Sequence, residues 1–291
     1  MAPEDKVAAA RVAAVPVVTL PKASPFIVSS AQSSGYEYLN LLVYGDFGVG
    51  KTQLAASAQD VAEMRNVLFI DVESGGRTIE GRADIDVVRV EEFSQFARVA
   101  EYLRAHCVAR DAKDQVKLKK LETTVRGVEL PGPAKEYHTV VVDSLTEVQK
   151  YCMYQLLGVK VGECALDVGP ESPQYAEWNK STEMIRLLVR TFRNLRMHTI
   201  FVCSRSEDQD ERKQYFYTPA LPGKLSNEVQ GFFDAVGYYV SGVATEGTTI
   251  QRRIFLSPGR NFKAKNRFAK WQGTYVDNPT MSDLYKIANL R

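Results

Sequence analysis

The octapeptide GDFGVGKT, at residues 45–52, constrains this 291-residue chain more than any other stretch. It fits GxxxxGK[ST], with Gly45, Gly50, Lys51 and Thr52 in the fixed places. An apolar run, LNLLVY, leads into it, and an alanine-rich, helix-favouring run follows. That order reads as a buried strand, a glycine turn and a helix. Glycine lets the backbone curl so tightly that successive N–H groups aim at one centre, which suits a phosphate chain. Gly45, Asp46, Phe47, Gly48 and Val49 are expected to wall that cradle. Gly50, Lys51, Thr52 and Gln53 lead from it into the helix, whose positive end adds to the attraction. Lys51 then reaches the β- and γ-phosphates, and the Thr52 hydroxyl can ligate Mg²⁺.

A phosphate cradle needs a second acid for Mg²⁺, at the end of a neighbouring strand. The run HTVVVDSL supplies it, with four β-branched residues followed by Asp143. Hydrolysis also needs a group that orients water in line with the terminal phosphate. Glu73, in FIDVESGG, stands at a strand's carboxyl end, where α/β proteins bind their ligands. Asp71, two residues earlier on the same side of that strand, either competes for the role or braces the loop.

The rest of the chain keeps the same rhythm. Strands are expected at DVVRV, MHTIFVCS, DAVGYYVSG and QRRIFLS. Helices are expected over residues 51–64, over EEFSQFARVAEYLRAH, after HTVVVDSL to about Leu157, and over residues 177–196. In the second of these Phe93, Phe96, Val99 and Leu103 share a face, and a last short helix opens at TMSD, where Thr280 and Asp283 have capping-box spacing. Strands alternating with helices imply an α/β fold, a mostly parallel sheet covered on both faces. Residues 108–135 break the pattern with a charged run and a Pro-Gly-Pro turn, and read as an inserted surface element. Residues 1–37 read as a flexible or oligomerisation arm ahead of a core at 38–291.

Composition excludes several classes. No apolar run reaches the roughly 18 residues that a membrane span needs. The four cysteines and three histidines are scattered, which argues against a zinc knuckle or a Cys-His catalytic pair and fits a reduced, cytoplasmic setting. A net charge of +2 gives no licence for a nucleic-acid partner by itself. Its distribution says more: residues 251–270 carry seven basic side chains and no acid.

GDFGVGKT, then FIDVE, then VVVDS, in that order, resembles the RecA/RadA class of P-loop ATPases. Within it the chain is most similar to the RecA-like single-strand annealing proteins of phages (the Sak recombinases), also described as AAA-type phage nucleotide-binding proteins. IFVCSRSED, PALPGKLSNEVQGFFDAVGYYV and FKAKNRF have the order and character of that group, and the likeness covers residues 38–268. The resemblance implies a RecA-like P-loop fold and an ATPase that uses ATP and Mg²⁺. It makes Glu73 the water-activating residue, Asp143 the Mg²⁺ acid, and Lys263 and Lys265 a basic pair reaching a neighbouring subunit's γ-phosphate. A solvated basic strand edge, or contact with a phosphate backbone, explains those lysines equally simply.

The implied partners are single-stranded DNA, further copies of the chain in a filament or ring, and a single-strand DNA-binding protein, with no membrane; a phage-encoded copy would act in the host cytoplasm. Two loops would face the DNA, at residues 158–174 and 205–224. The second brings Arg205, Arg212, Lys213, Tyr215, Phe216 and Tyr217, suited to backbone contact and base stacking. It also brings Glu207, Asp208, Asp210 and Glu211, which repel phosphate, so a solvated loop with its aromatics on the core remains open. The basic stretch 252–270 is the better electrostatic footprint. Phe26 and Ile27 either tether a neighbour or pack on their own core. RecA proteins carry a polar sensor, usually glutamine, where this chain has Ser204 followed by Arg205. Besides a recombinase or annealing protein, the sequence allows a nucleotide switch that recruits replication partners with little DNA contact. A ring helicase motor of the DnaB type ranks last, for want of a recognisable primase-binding domain.

Overall fold

The apolar runs become strands of one sheet in the computed structural model, which describes residues 37–73, 76–159, 172–209, 213–243, 250–269 and 271–288. In chain order the elements begin β1 (Asn40–Gly45), α1 (Lys51–Ala56), β2 (Val67–Asp71), β3 (Asp86–Arg89), α2 (Gln95–Asp111) and α3 (Gln115–Arg126). They continue with β4 (Thr139–Asp143), α4 (Leu145–Leu156), α5 (Tyr175–Arg193), β5 (His198–Gln209), β6 (Tyr215–Pro219) and α6 (Leu225–Glu228). The last are β7 (Ala235–Val243), β8 (Ile250–Phe255), β9 (Lys265–Asn266), β10 (Tyr275–Asp277) and α7 (Met281–Ala288).

The sheet runs β10-β8-β7-β1-β5-β4-β2-β3, with β6 paired to β5 and β9 to β7. From β3 to β7 every neighbouring pair on this path is parallel, whereas β8 and β10 add an antiparallel edge. Side chains alternate between the two faces of a strand, and here both faces are buried. Leu42, Tyr44, Ile70, Val140, Val142 and Phe201 pack into the layer formed by α2, α4 and α5. Leu41, Val43, Phe69, Val141, Ile200 and Val202 pack on the other side, with α1 and α7. Two-sided burial explains why these strands read as unbroken apolar runs rather than alternating ones. Register then aligns their carboxyl ends: Gly45 lies beside Ser204, and Asp71 beside Asp143.

Several expectations change in detail. The helix expected over 51–64 is α-helical only to Ala56, then tightens into a 3-10 turn at Ser57–Asp60. The Ser57 hydroxyl donates to the Leu54 carbonyl at 2.7 Å and accepts the Met281 N–H at 2.9 Å, so α7 docks where α1 ends. The charged element at 108–135 is a helical hairpin: α2 continues to Asp111, and the Asp114 carboxylate caps α3 by accepting the Lys117 N–H at 2.9 Å. It buries a small core of Ala109, Leu118 and Ala134. Arg126 and Lys135 reach Asp86 on β3 at 2.8 and 3.2 Å, tying the hairpin to the sheet edge. The Thr280–Asp283 capping box forms as its spacing indicates, with Thr280 N–H donating to Asp283 at 2.9 Å. The arm at 1–36, with Phe26 and Ile27, and most of the loop at 158–174 lie outside the described residues.

Candidate nucleotide site

The glycine loop leaves β1 at the carboxyl end of the sheet, and two of its glycines are required by what surrounds them. A Cβ on Gly45 would stand 2.1 Å from the carbonyl oxygen of Tyr239 on β7, a distance no packed atom tolerates. Gly50 enters α1 with φ +97, in the left-handed region that side chains resist. Lys51 folds back over the loop, donating to the carbonyls of Gly45 at 3.0 Å and Asp46 at 2.6 Å. Burial holds its ammonium below the usual lysine range, against the opposing pull of Asp143 and Glu73. Phe47 stands at the loop tip, 80% exposed.

The acids meet this loop from two and three strands away, Asp143 from β4 and Asp71 and Glu73 from the end of β2. The Thr52 hydroxyl donates to Asp143 Oδ2 at 2.6 Å, bringing together the pair expected to share Mg²⁺. Burial pushes the Asp143 carboxyl up to about 6; the Thr52 hydrogen bond and the Lys51 charge act against the rise, while Glu73 and Asp71 add to it. Glu73 lies two residues past the end of β2, exposed, and accepts a hydrogen bond from the Ser144 hydroxyl. Ser144 caps α4 and directly follows Asp143, so the expected water-orienting residue is held by the neighbour of the expected Mg²⁺ acid. Asp71 is buried at the end of β2 in register with Asp143, and like Glu73 it lines the cavity.

These groups enclose a cavity of about 310 Å³, lined by Lys51, Thr52, Glu73, Asp143, Ser204 and Arg252 among others. The size falls within the range of ligand clefts, which begins at roughly 300 Å³. Two hard oxygens 2.6 Å apart beside an ammonium suit a polyphosphate carrying a divalent cation. Two arginines that the sequence pointed toward DNA instead hold the phosphate loop. Arg252, on β8, donates from Nε to the Val49 carbonyl at 3.0 Å. Arg205, on β5, pairs with Asp46 at 2.5 Å and lies 4.1 Å over the Tyr217 ring. The basic run at 252–270 was visible in the sequence, but only the β7–β8 pairing brings one of its members to the loop.

The remaining predicted residues sit elsewhere. Lys263 donates to Asn227 at 2.5 Å and lies 4.8 Å over the Phe216 ring, and Lys265 is half-buried on β9. Neither lines the cavity of its own chain. The stretch expected as a loop at 205–224 is instead built on a hairpin: β5 runs on to Gln209 and pairs antiparallel with β6, Arg205 opposite Pro219 and Gln209 opposite Tyr215. A Tyr-Phe-Tyr-Thr run favours extended backbone, which overrides the polar character of the sequence around it. Tyr217 stacks on Tyr238 with centroids 5.6 Å apart, so it belongs to the core, whereas Tyr215 is exposed. Phe216 is half-buried, Lys213 precedes the strand, and Arg212 lies outside the described residues.

A family model described as AAA domain matches residues 37–268, roughly four-fifths of the chain. The chain belongs to that family. None of the curated proteins matches it. This AAA domain is a P-loop protein with the α/β architecture read from its sequence, and its family implies an ATPase using ATP and Mg²⁺. The match is to the AAA domain at large and carries no recombinase assignment. No described helix is long and apolar enough to cross a membrane.

Proposed function

We propose that this AAA domain is an ATP-dependent, single-stranded DNA-binding protein of RecA type. It assembles with copies of itself in filaments or rings and promotes annealing or strand exchange. One observation carries the reading: β5 is a single strand from His198 to Gln209, so the Ser204 that lines the nucleotide cavity continues without a break into the hairpin that bears Arg205 and Tyr215. A shift of the strand at the cavity therefore moves the hairpin, the mechanical requirement for coupling hydrolysis to a bound strand.

Within the site, the Gly45–Gln53 loop holds the phosphates and Lys51 neutralises their charge, while Thr52 and Asp143 hold the cation. Bound Mg²⁺ supplies Lewis-acid polarisation of the phosphoryl oxygens. Glu73, oriented by Ser144, accepts a proton from the attacking water. Lys263 and Lys265, which do not line their own cavity, act toward the γ-phosphate of a neighbouring copy in the manner of an arginine finger. The backbone of Lys263 is clamped to Tyr44, one residue before the loop, by hydrogen bonds of 2.6 and 3.1 Å in opposite directions.

The acids on the hairpin, Glu207 and Asp208, favour a second reading, a nucleotide switch that recruits replication proteins with little DNA contact. ATPase rate titrated with single-stranded DNA at two salt concentrations separates them. The DNA reading expects stimulation that weakens with salt, because phosphate contacts release counterions. A rate and sedimentation unchanged by DNA at low salt would leave the switch.

A further inference from the structure

The groups that do chemistry on the terminal phosphate all lie on one side of β1. Ser204, Asp143 and Glu73 come from β5, β4 and the end of β2, which follow β1 in that order across the sheet. Arg252 comes from the opposite side, on β8, beyond β7. It nevertheless lines the same cavity, and its Nε occupies the space above Gly50, 2.9 Å from where a Cβ would stand. The absent side chain at Gly50 therefore leaves room for a guanidinium as well as permitting the left-handed turn. Arg252 is also fixed at its own backbone, its N–H donating to the Asn278 side chain at 2.9 Å and its carbonyl accepting from Asn278 N–H at 2.7 Å.

The neighbouring Arg253 faces the other way and is already committed, 2.6 Å from Asp277 and 3.9 Å over Tyr275. Arg252 pairs with no carboxylate among the described residues, and a half-buried guanidinium beside an anion cradle without a carboxylate partner suits an anionic ligand. Gly50 stands between Arg252 and Gln53, and all three line the cavity that holds Glu73 and Asp143, so a nucleotide whose terminal phosphate meets those acids has room to run its other end past Arg252.

We infer that Arg252 is a nucleotide-binding residue, holding the α-phosphate and ribose end of a nucleoside di- or triphosphate while its Nε braces the loop at Val49. This removes Arg252 from the electrostatic footprint assigned to DNA. It rests on the nucleotide reading of the cavity but not on the DNA reading.

Calorimetric titration of the full chain with ADP and with a non-hydrolysable ATP analogue tests it, using Arg252→Ala, Arg252→Gln and Arg252→Lys. Losing a charged hydrogen bond should weaken both ligands alike, by roughly tenfold or more. Arg252→Lys should recover part of the loss. Arg252→Gln, which can still donate to the Val49 carbonyl but has no charge, should recover little and should flatten the salt dependence of ADP affinity. The melting temperature without nucleotide should stay close to that of the natural chain in all three. Unchanged ADP affinity in Arg252→Ala overturns the inference, as does full recovery in Arg252→Gln, which would leave Arg252 a brace alone. A loss confined to the triphosphate analogue overturns it too. If the natural chain binds no ADP, the nucleotide site itself falls and takes this inference with it.

Discussion

Gly45→Ala isolates a constraint that belongs to packing rather than to phosphate chemistry. The added methyl would lie 2.1 Å from the Tyr239 carbonyl oxygen, and real Cβ atoms essentially never come within 3.0 Å of a neighbour. Roughly 1 Å must therefore be found between β1 and β7, since the opposing atom is backbone and cannot rotate away. Gly45 and Tyr239 are also direct register partners, so the displacement falls on the last pair of a parallel ladder with few neighbours to share it. Overpacking of this kind costs about 1–3 kcal/mol. At roughly 2–4 °C per kcal/mol for a chain of this size, differential scanning fluorimetry should register a fall of several degrees. Nucleotide affinity should fall as well, because the first residue of the cradle moves. If the variant melts within a degree of the natural chain and binds ADP equally well, the close approach of β1 and β7 is wrong, and so is the account of why the motif begins with glycine.

Glu73→Gln should keep ATP binding and lose turnover by roughly 10²–10⁴-fold in a single-turnover assay, because the amide still accepts the Ser144 hydrogen bond but takes no proton. Undiminished turnover would transfer the role to Asp71. Asp143→Asn should bind ADP without metal much as before, yet lose the gain in triphosphate affinity that Mg²⁺ confers, measured by titration with and without EDTA. His198 gives a pH test of the fold: burial depresses its pKa to about 4, and its Nδ1 accepts the Leu39 N–H at 2.9 Å. Above about 6.5 both folded and unfolded chains hold it neutral; as pH falls toward 4 only the unfolded chain takes the proton, so stability is lost, by about 3 kcal/mol at most. Urea denaturation between pH 7 and 4 should show a shallower loss for His198→Asn, which retains an acceptor, and equal slopes would refute the assignment.

The central sheet was legible because two-sided burial writes itself as unbroken β-branched runs: TVVVD and VLFID are fully buried as strands. The loop, Asp143 and Glu73 were legible for a related reason, since each stands where such a run meets a polar residue. What could not be read were features set by strand order and pairing. Nothing local marks Arg252 as a loop contact; its position depends on β8 pairing with β7 across six residue pairs. Residues 205–209 read as the start of a loop because Ser-Glu-Asp-Gln is polar, yet pairing with Tyr215–Pro219 extends them. The helical hairpin at 108–135 was obscured by charge, although Asp114 is an ordinary cap and its basic residues meet Asp86, a partner distant in sequence.

A common anchor links the two regions through which the site would act on anything outside it. The Tyr44 hydroxyl, on the penultimate residue of β1, gives its one hydrogen to the Lys263 carbonyl at 2.6 Å and accepts the Lys263 N–H at 3.1 Å, and the Tyr217 carbonyl lies 3.1 Å from the same oxygen. Tyr217 is on the hairpin, and Lys263 is in the basic stretch. Neither Tyr217 nor Lys263 lines the cavity, yet both meet the hydroxyl of the residue adjoining Gly45, and Arg205 closes the circuit by holding Asp46 while lying over Tyr217. A phosphate that draws Lys51 off the Gly45 and Asp46 carbonyls, or that repels the Asp46 carboxylate and loosens its pair with Arg205, therefore acts on the strand to which the hairpin and the Lys263 segment are fastened. Coupling of this kind needs no long relay through the core, because the strand that begins the cradle is the strand on which both outer segments are fastened.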